Sequence, residues 1–187
     1  METGTLQGGF DAPSQQSALA FRQIMEAMAR PGQIRTVAGA VPPAPLSVAA
    51  ATVILTLCDT ETPVYLAGAH DTPDVRQWIS FHTGAPFTGP AQCAFAVGEW
   101  DGLAPLHLYP VGSAEYPDRS ATLIVETDVL TSTGSTLKGP GIKDNITLSL
   151  PDPAAFQANA RQFPLGLDFI LTSGTQIAAV PRSTKVV

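Results

Sequence analysis

The stretch PVYLAGAHDTPDVRQWISFHTGAPFTGPAQCAFAV, residues 63–97, sets the architecture. It opens on Pro63-Val64-Tyr65-Leu66-Ala67, a short apolar run that reads as a strand. Thr72 then offers a side-chain cap, Pro73 suits a first helical turn, and Asp74 complements the helix dipole. Val75, Trp78, Ile79 and His82 recur at helical spacing, and Gly84 with Pro86 ends the helix. Gln92 to Val97 returns to a strand, with Cys93, Phe95 and Val97 on one side. Strand, helix and strand in succession point to the α/β class.

The flanks extend this pattern. Toward the N-terminus, a helix is predicted from about Ser14 to Arg30, because Phe21, Ile24, Met25 and Met28 line one face and Pro31-Gly32 stops it. Core packing is the first reading of Met25 and Met28, and adaptable packing at an interface is the second. Residues 46–58, LSVAAATVILTLC, are apolar all round, and their length predicts a buried helix. Beyond residue 97, Glu99 to Ser120 is rich in Pro, Gly and Asp and reads as an irregular excursion. Ala121 to Glu126 is the clearest strand. Ser132-Thr133-Gly134-Ser135 reads as a hairpin tip, Lys138 to Gly141 as a tight turn, and Asn145 to Ser149 as a strand. Asp152 and Pro153 open a helix through about Gln162, and Phe169–Leu171 and Gln176–Val180 form a closing pair of strands around Ser173-Gly174. The expected fold is a mixed β-sheet covered by helices, a layered α/β/α arrangement, in a single domain over residues 1–187.

Bulk properties narrow the function. Hydrophobic residues make up 44% of the 187, but charged residues only 14%, against roughly 25% in an ordinary soluble protein. So few charges leave much apolar surface uncovered, and a permanent subunit interface, with a homodimer in isolation, is the expected remedy. Ten Lys+Arg against sixteen Asp+Glu give a net charge of −6 with no basic run, which disfavours nucleic acid and anionic membranes. The start Met1-Glu2-Thr3-Gly4 has no secretory pattern, and no apolar run reaches the ~20 residues of a membrane span. Cys58 and Cys93 lie in apolar runs and read as buried free thiols of a cytoplasmic protein.

The signatures of common enzyme classes are missing: there is no Walker loop, no G-x-G-x-x-G after a strand, no G-x-S-x-G and no H-E-x-x-H. His70, His82 and His107 have no metal-ligand spacing, so no metal is expected. Four features offer ligand or partner contacts. His82 sits at the last turn of its helix, where a histidine satisfies the helix C-terminus or faces a cleft. Asp59, before Glu61 and Thr62, reads first as a turn carboxylate and second as a partner contact or catalytic group. Lys138, Gly139, Gly141 and Lys143 form either a plain turn or an anion nest. Arg182 pairs with a carboxylate near the C-terminus or with a partner's acid.

A family resemblance runs through these segments. It is carried in order by Phe21-Arg22, Ala27-Met28, Pro31-Gly32, Leu55-Thr56-Leu57, Asp59, Thr62-Pro63-Val64 and Phe81-His82-Thr83-Gly84-Ala85-Pro86. It continues in Gly112-Ser113, Pro117, Ala121-Thr122-Leu123, Gly139, Gly141-Ile142, Phe163-Pro164-Leu165-Gly166, Asp168, Ile170-Leu171, Pro181-Arg182 and Thr184. On these residues the chain resembles the PhnH family, the H subunit of the bacterial carbon–phosphorus lyase core complex. The resemblance implies an assembly with the G, I and J subunits that joins a phosphonate to C1′ of a nucleoside triphosphate and releases the base. It also implies an accessory rather than catalytic chain, with Thr83 beside His82 among its contact candidates. The implied fold is similar to the large domain of pyridoxal-phosphate-dependent transferases, without the cofactor. Lys138, Lys143 and Lys185 are the only lysines, and none lies in a pattern that supplies an aldimine site, so no cofactor is expected. A pyridoxal-type transferase and a stand-alone binding or regulatory domain are the competing readings.

Overall fold

The computed structural model describes residues 7–187. Along the chain come α1 (Pro13–Ala29), β1 (Arg35–Thr36), α2 (Val48–Leu57), β2 (Val64–Leu66), α3 (Pro73–Thr83), β3 (Phe95–Glu99) and α4 (Trp100–Leu103). They are followed by β4 (Thr122–Glu126), β5 (Ser135–Lys138), β6 (Ile146–Leu148), α5 (Pro153–Ala160), β7 (Asp168–Ser173), β8 (Gln176–Val180) and β9 (Lys185–Val186).

Six strands form a mixed sheet in the order β1-β8-β7-β4-β3-β2. The pairs β2–β3, β3–β4 and β4–β7 are parallel, while β7–β8 and β8–β1 are antiparallel. The strands alternate between two cores, as the period of two requires. Val97, Ile124, Ile170 and Ile177 pack under α1, α2 and α3, whereas Ala96, Leu123, Val125, Phe169 and Leu171 face the opposite side. That second side is covered jointly by α5, through Phe156, and by a separate antiparallel sheet in the order β6-β5-β9. The α/β class and the mixed sheet thus stand.

Local chemistry explains the helices. Thr72 accepts a hydrogen bond from the Val75 N–H, and Gly84 closes α3 in the left-handed region at φ 69°, as the sequence predicts. Ser47 caps α2 through the Ala50 N–H, and Asp152 caps α5 through Ala155. In α2, Ala49 through Ile54 are all buried, as the all-round apolar stretch predicts.

Several expectations need correction. The buried face of α1 is Ala20, Ile24 and Ala27, while Phe21 and Met25 are 51% and 48% exposed. Small alanines let α1 approach α2 and the sheet closely, which turns the larger side chains outward. Cys93 precedes β3 and joins the opposite core from Val97, so the two do not share a side. Residues 132–135 are no hairpin tip, because the lead-in to β5 runs beside β6, where Ser149 N–H donates to Thr131 O. The reversal comes later, between Lys138 and Ile146. The excursion after β3 also contains ordered pieces, including α4 and a buried Tyr109 whose hydroxyl donates to Leu103 O at 2.9 Å.

Candidate functional site

The structure separates the sequence candidates into three places. The first is the C-terminal end of α3. The His82 ring lies 4.9 Å from Trp78 and 5.0 Å from Phe81, centroid to centroid, and Gly9 covers its edge. A methyl group on Gly9 would fall 2.6 Å from His82 Nδ1 and would displace the ring. His82 Nε2 is buried without a hydrogen-bond partner among the described residues, and the side chain borders a pocket of about 630 Å³ shared with Gly8, Gly9, Asp11 and Gly39. Thr83 is engaged within the fold: its hydroxyl donates to Ile79 O and accepts from Ala85 N–H. Asp59 caps its own turn, with Oδ1 accepting from the Glu61 N–H at 2.8 Å. That turn packs on the same helix end, because a methyl group on Gly84 would meet Thr60 Cγ2 at 2.8 Å.

The second place is the β5–β6 hairpin. Lys138 ends β5, and Lys143 lies in the loop, both exposed. Gly139 and Gly141 adopt φ of 134° and 80°. Their geometry has a packing cause: a side chain on Gly141 would strike Ala29 O at the end of α1, and one on Gly139 would press on Ser183 O.

The third place is the segment after β8. Arg182 meets both oxygens of Asp168, and its guanidinium also bonds Pro117 O and Ser120 Oγ. The internal carboxylate is therefore its partner. Arg182 makes no hydrogen bond to the other candidates, although its neighbour Ser183 packs on Gly139.

Sequence reading missed two features. Glu126, the last residue of β4, accepts from the Ser47 N–H at 2.7 Å and the Thr172 hydroxyl at 2.9 Å. His70 Nε2 stands 3.9 Å from Glu126 Oε1, and His70 Nδ1 is buried without a partner among the described residues. A carboxylate at the carboxyl end of the clearest strand was the available signal, since open α/β sheets place their ligands at that end. The other feature is an apolar cleft of about 450 Å³ between Trp100, Leu106 and His107 on one side and Ala155 and Ala158 of α5, with Gln162 just beyond it, on the other. Trp100 stacks on Phe156 at 5.2 Å, which in turn packs on Phe169 at 4.5 Å, so the cleft rests on an aromatic array. No sequence motif marks it, because its walls come from distant segments.

Among the described residues, no group of three or more His, Cys, Asp or Glu is placed to hold a metal ion, and no helix is long and apolar enough to cross a membrane. Both cysteines are free and buried, and burial pushes the Cys58 thiol up to about 12 and Cys93 to about 11.

Comparison with known proteins gives a consistent answer. A family model described as "Bacterial phosphonate metabolism protein (PhnH)" matches residues 8–187. A Rhizobium meliloti (strain 1021) protein, "Alpha-D-ribose 1-methylphosphonate 5-triphosphate synthase subunit PhnH", is 41% identical across 96% of this chain and 94% of its own length. A Stutzerimonas stutzeri protein, "Putative C-P lyase subunit protein HtxG", is 30% identical across 95% of this chain and 88% of its own length.

Proposed function

The chain belongs to the PhnH family of bacterial phosphonate metabolism proteins, and we propose on that premise that it acts as an accessory subunit of a carbon–phosphorus lyase assembly. The assembly forms ribose 1-methylphosphonate 5-triphosphate in phosphonate catabolism, and the G, I and J subunits are its partners. The observation that supports an accessory role is the engagement of the candidate side chains. The side chains of Thr83, Asp59 and Arg182 each make a hydrogen bond within the fold. Stabilising charge on a reacting phosphoryl group needs several donors aimed at one point. Here the candidate side chains do not converge on one point: Thr83, Asp59 and Arg182 each turn to a partner within the fold.

The parallel core β2-β3-β4-β7 supports the likeness to pyridoxal-phosphate-dependent transferases at the level of fold. The residues do not fit the cofactor. Lys138 and Lys185 lie on the small sheet and Lys143 in its hairpin loop, so no lysine ends a strand of the large sheet. Fold analogy alone carries no pyridoxal chemistry. The buried free thiols suit a reducing, cytoplasmic setting. Exposed Phe21 and Met25, one turn apart on α1, support a homodimer in isolation.

The test is co-expression with the G, I and J subunits, followed by sizing and an assay of base release from ATP with methylphosphonate. The complete assembly is active, the assembly lacking this chain is not, and the isolated chain is silent. Base release by the isolated chain, abolished by His82→Ala, overturns the accessory reading.

A further inference from the structure

All three lysines of the chain fall on the three-stranded sheet and its hairpin. Lys138 of β5 stands directly opposite Lys185 of β9 in the antiparallel register. Their neighbours Leu137 and Val186, also opposite each other, are buried, so alternation turns both lysines to the outer face. Both are exposed, and Lys143 adds a third charge in the adjoining loop. Thr136, two residues before Lys138 and on the same face of β5, pairs with Thr147 of β6 on the other side of the strand.

Like charges directly opposite on a sheet destabilise it. The remedy used elsewhere in this chain is absent here. Arg30, Arg35, Arg76 and Arg182 each have a carboxylate within 4.0 Å, whereas among the described residues none lies that close to the three lysines or to the dispersed Arg22, Arg119 and Arg161. Asp144 is the acid nearest in sequence, and it too is exposed. Lysines do guard sheet edges against edge-to-edge pairing, which accounts for Lys185 on the edge strand β9. That does not account for Lys138, because β5 is the central strand.

We propose that the outer face of the three-stranded sheet docks an acidic segment of a partner subunit, an inference that rests on the subunit reading above. In a chain of net charge −6 this is a cationic patch whose charges are not already matched from within. It lies on an open sheet face rather than in a cleft, so it suits an extended chain segment. Carboxylates from that segment relieve the opposition of Lys138 and Lys185 and accept their hydrogen bonds.

The test uses the full chain co-expressed with the G, I and J subunits, carrying Lys138→Glu, or Lys138→Glu with Lys185→Glu. In the isolated chain the single change replaces a like-charge pair with an opposite one and raises Tm by about 2 °C. The double change restores like charges and leaves Tm near wild type, so loss of folding does not confuse the result. In the assembly the double variant binds roughly tenfold more weakly or worse, and added salt, expected to weaken the wild-type contact, no longer weakens it. Assembly of the double variant at wild-type affinity in low salt overturns the inference and leaves the lysines as edge protection. Failure of the wild-type chain to join the other subunits overturns the subunit reading, and the inference with it.

Discussion

Arg182 holds Asp168 twice on one oxygen, with its backbone N–H at 2.8 Å from Oδ1 and its Nε at 3.1 Å. The contact fastens the segment after β8 to the first residue of β7, and the same guanidinium ties down residues 117–120. Three stretches far apart in sequence thus share one cation.

Breaking this pair is expected to be costly, because the two side chains are only 14% and 16% exposed. Asp168→Ala strands a nearly buried guanidinium and destabilises the chain by about 3 kcal/mol. Replacing both partners, as Asp168→Leu with Arg182→Met, costs less than Asp168→Ala alone. Urea unfolding reads this as a midpoint shift with unchanged slope. Equal stability of Asp168→Ala and wild type would show that the contact carries no weight.

What could be read from the sequence was what local chemistry decides. The cap at Thr72, the stop at Gly84 and the strand ending at Glu126 each have a side chain or a backbone conformation that names them. The short strands β1, β5 and β9 have no such mark, since they form only where a distant partner offers a ladder. The same division holds for the site. Asp59 as a turn carboxylate follows from its neighbours, and the structure finds it so. The placing of His70 beside Glu126 depends on the parallel packing of β2, β3 and β4, which no spacing within the chain encodes. For α1, periodicity alone cannot say which side meets the core; alanines won over Phe21 and Met25 because close packing favours small residues.

Gly141 tests whether the hairpin glycines serve packing or anion binding. Its φ of 80° is strained for any other residue, and an added Cβ would lie 2.0 Å from Ala29 O. Gly141→Ala should therefore lower stability by about 1–3 kcal/mol in the isolated chain, whatever anion is present. Thermal unfolding with and without phosphate makes the measurement. A wild-type Tm for the variant, with only a phosphate-dependent increment lost, would return the loop to the role of a nest.

The thiols carry a pH prediction. Burial raises Cys58 to about 12 and Cys93 to about 11, above the unfolded value near 9. A raised folded value means that the folded chain holds its protons where the unfolded chain has released them. Stability is therefore intact below about pH 9 and falls as pH rises toward 11 and 12. At neutral pH neither thiol should react with an aromatic disulfide reagent until the chain is unfolded. Rapid labelling of both cysteines in the native protein would place them outside the core.

The exposed side of α1 carries the prediction for self-association. Phe21 and Met25 lie one helical turn apart, and both are about half exposed. Apolar groups this large on one helix weigh against a free surface, and a chain with 14% charged residues has little else to cover them. Sedimentation at micromolar concentration should show a dimer for the wild-type chain. Phe21→Glu with Met25→Glu should give a 19.5 kDa species, with Tm unchanged or slightly higher because no core contact is lost. The comparison separates this face from α2, whose apolar residues are buried within the chain and cannot be charged without unfolding it. A wild-type chain that sediments only at 19.5 kDa would leave the α1 face free for another partner and remove the homodimer.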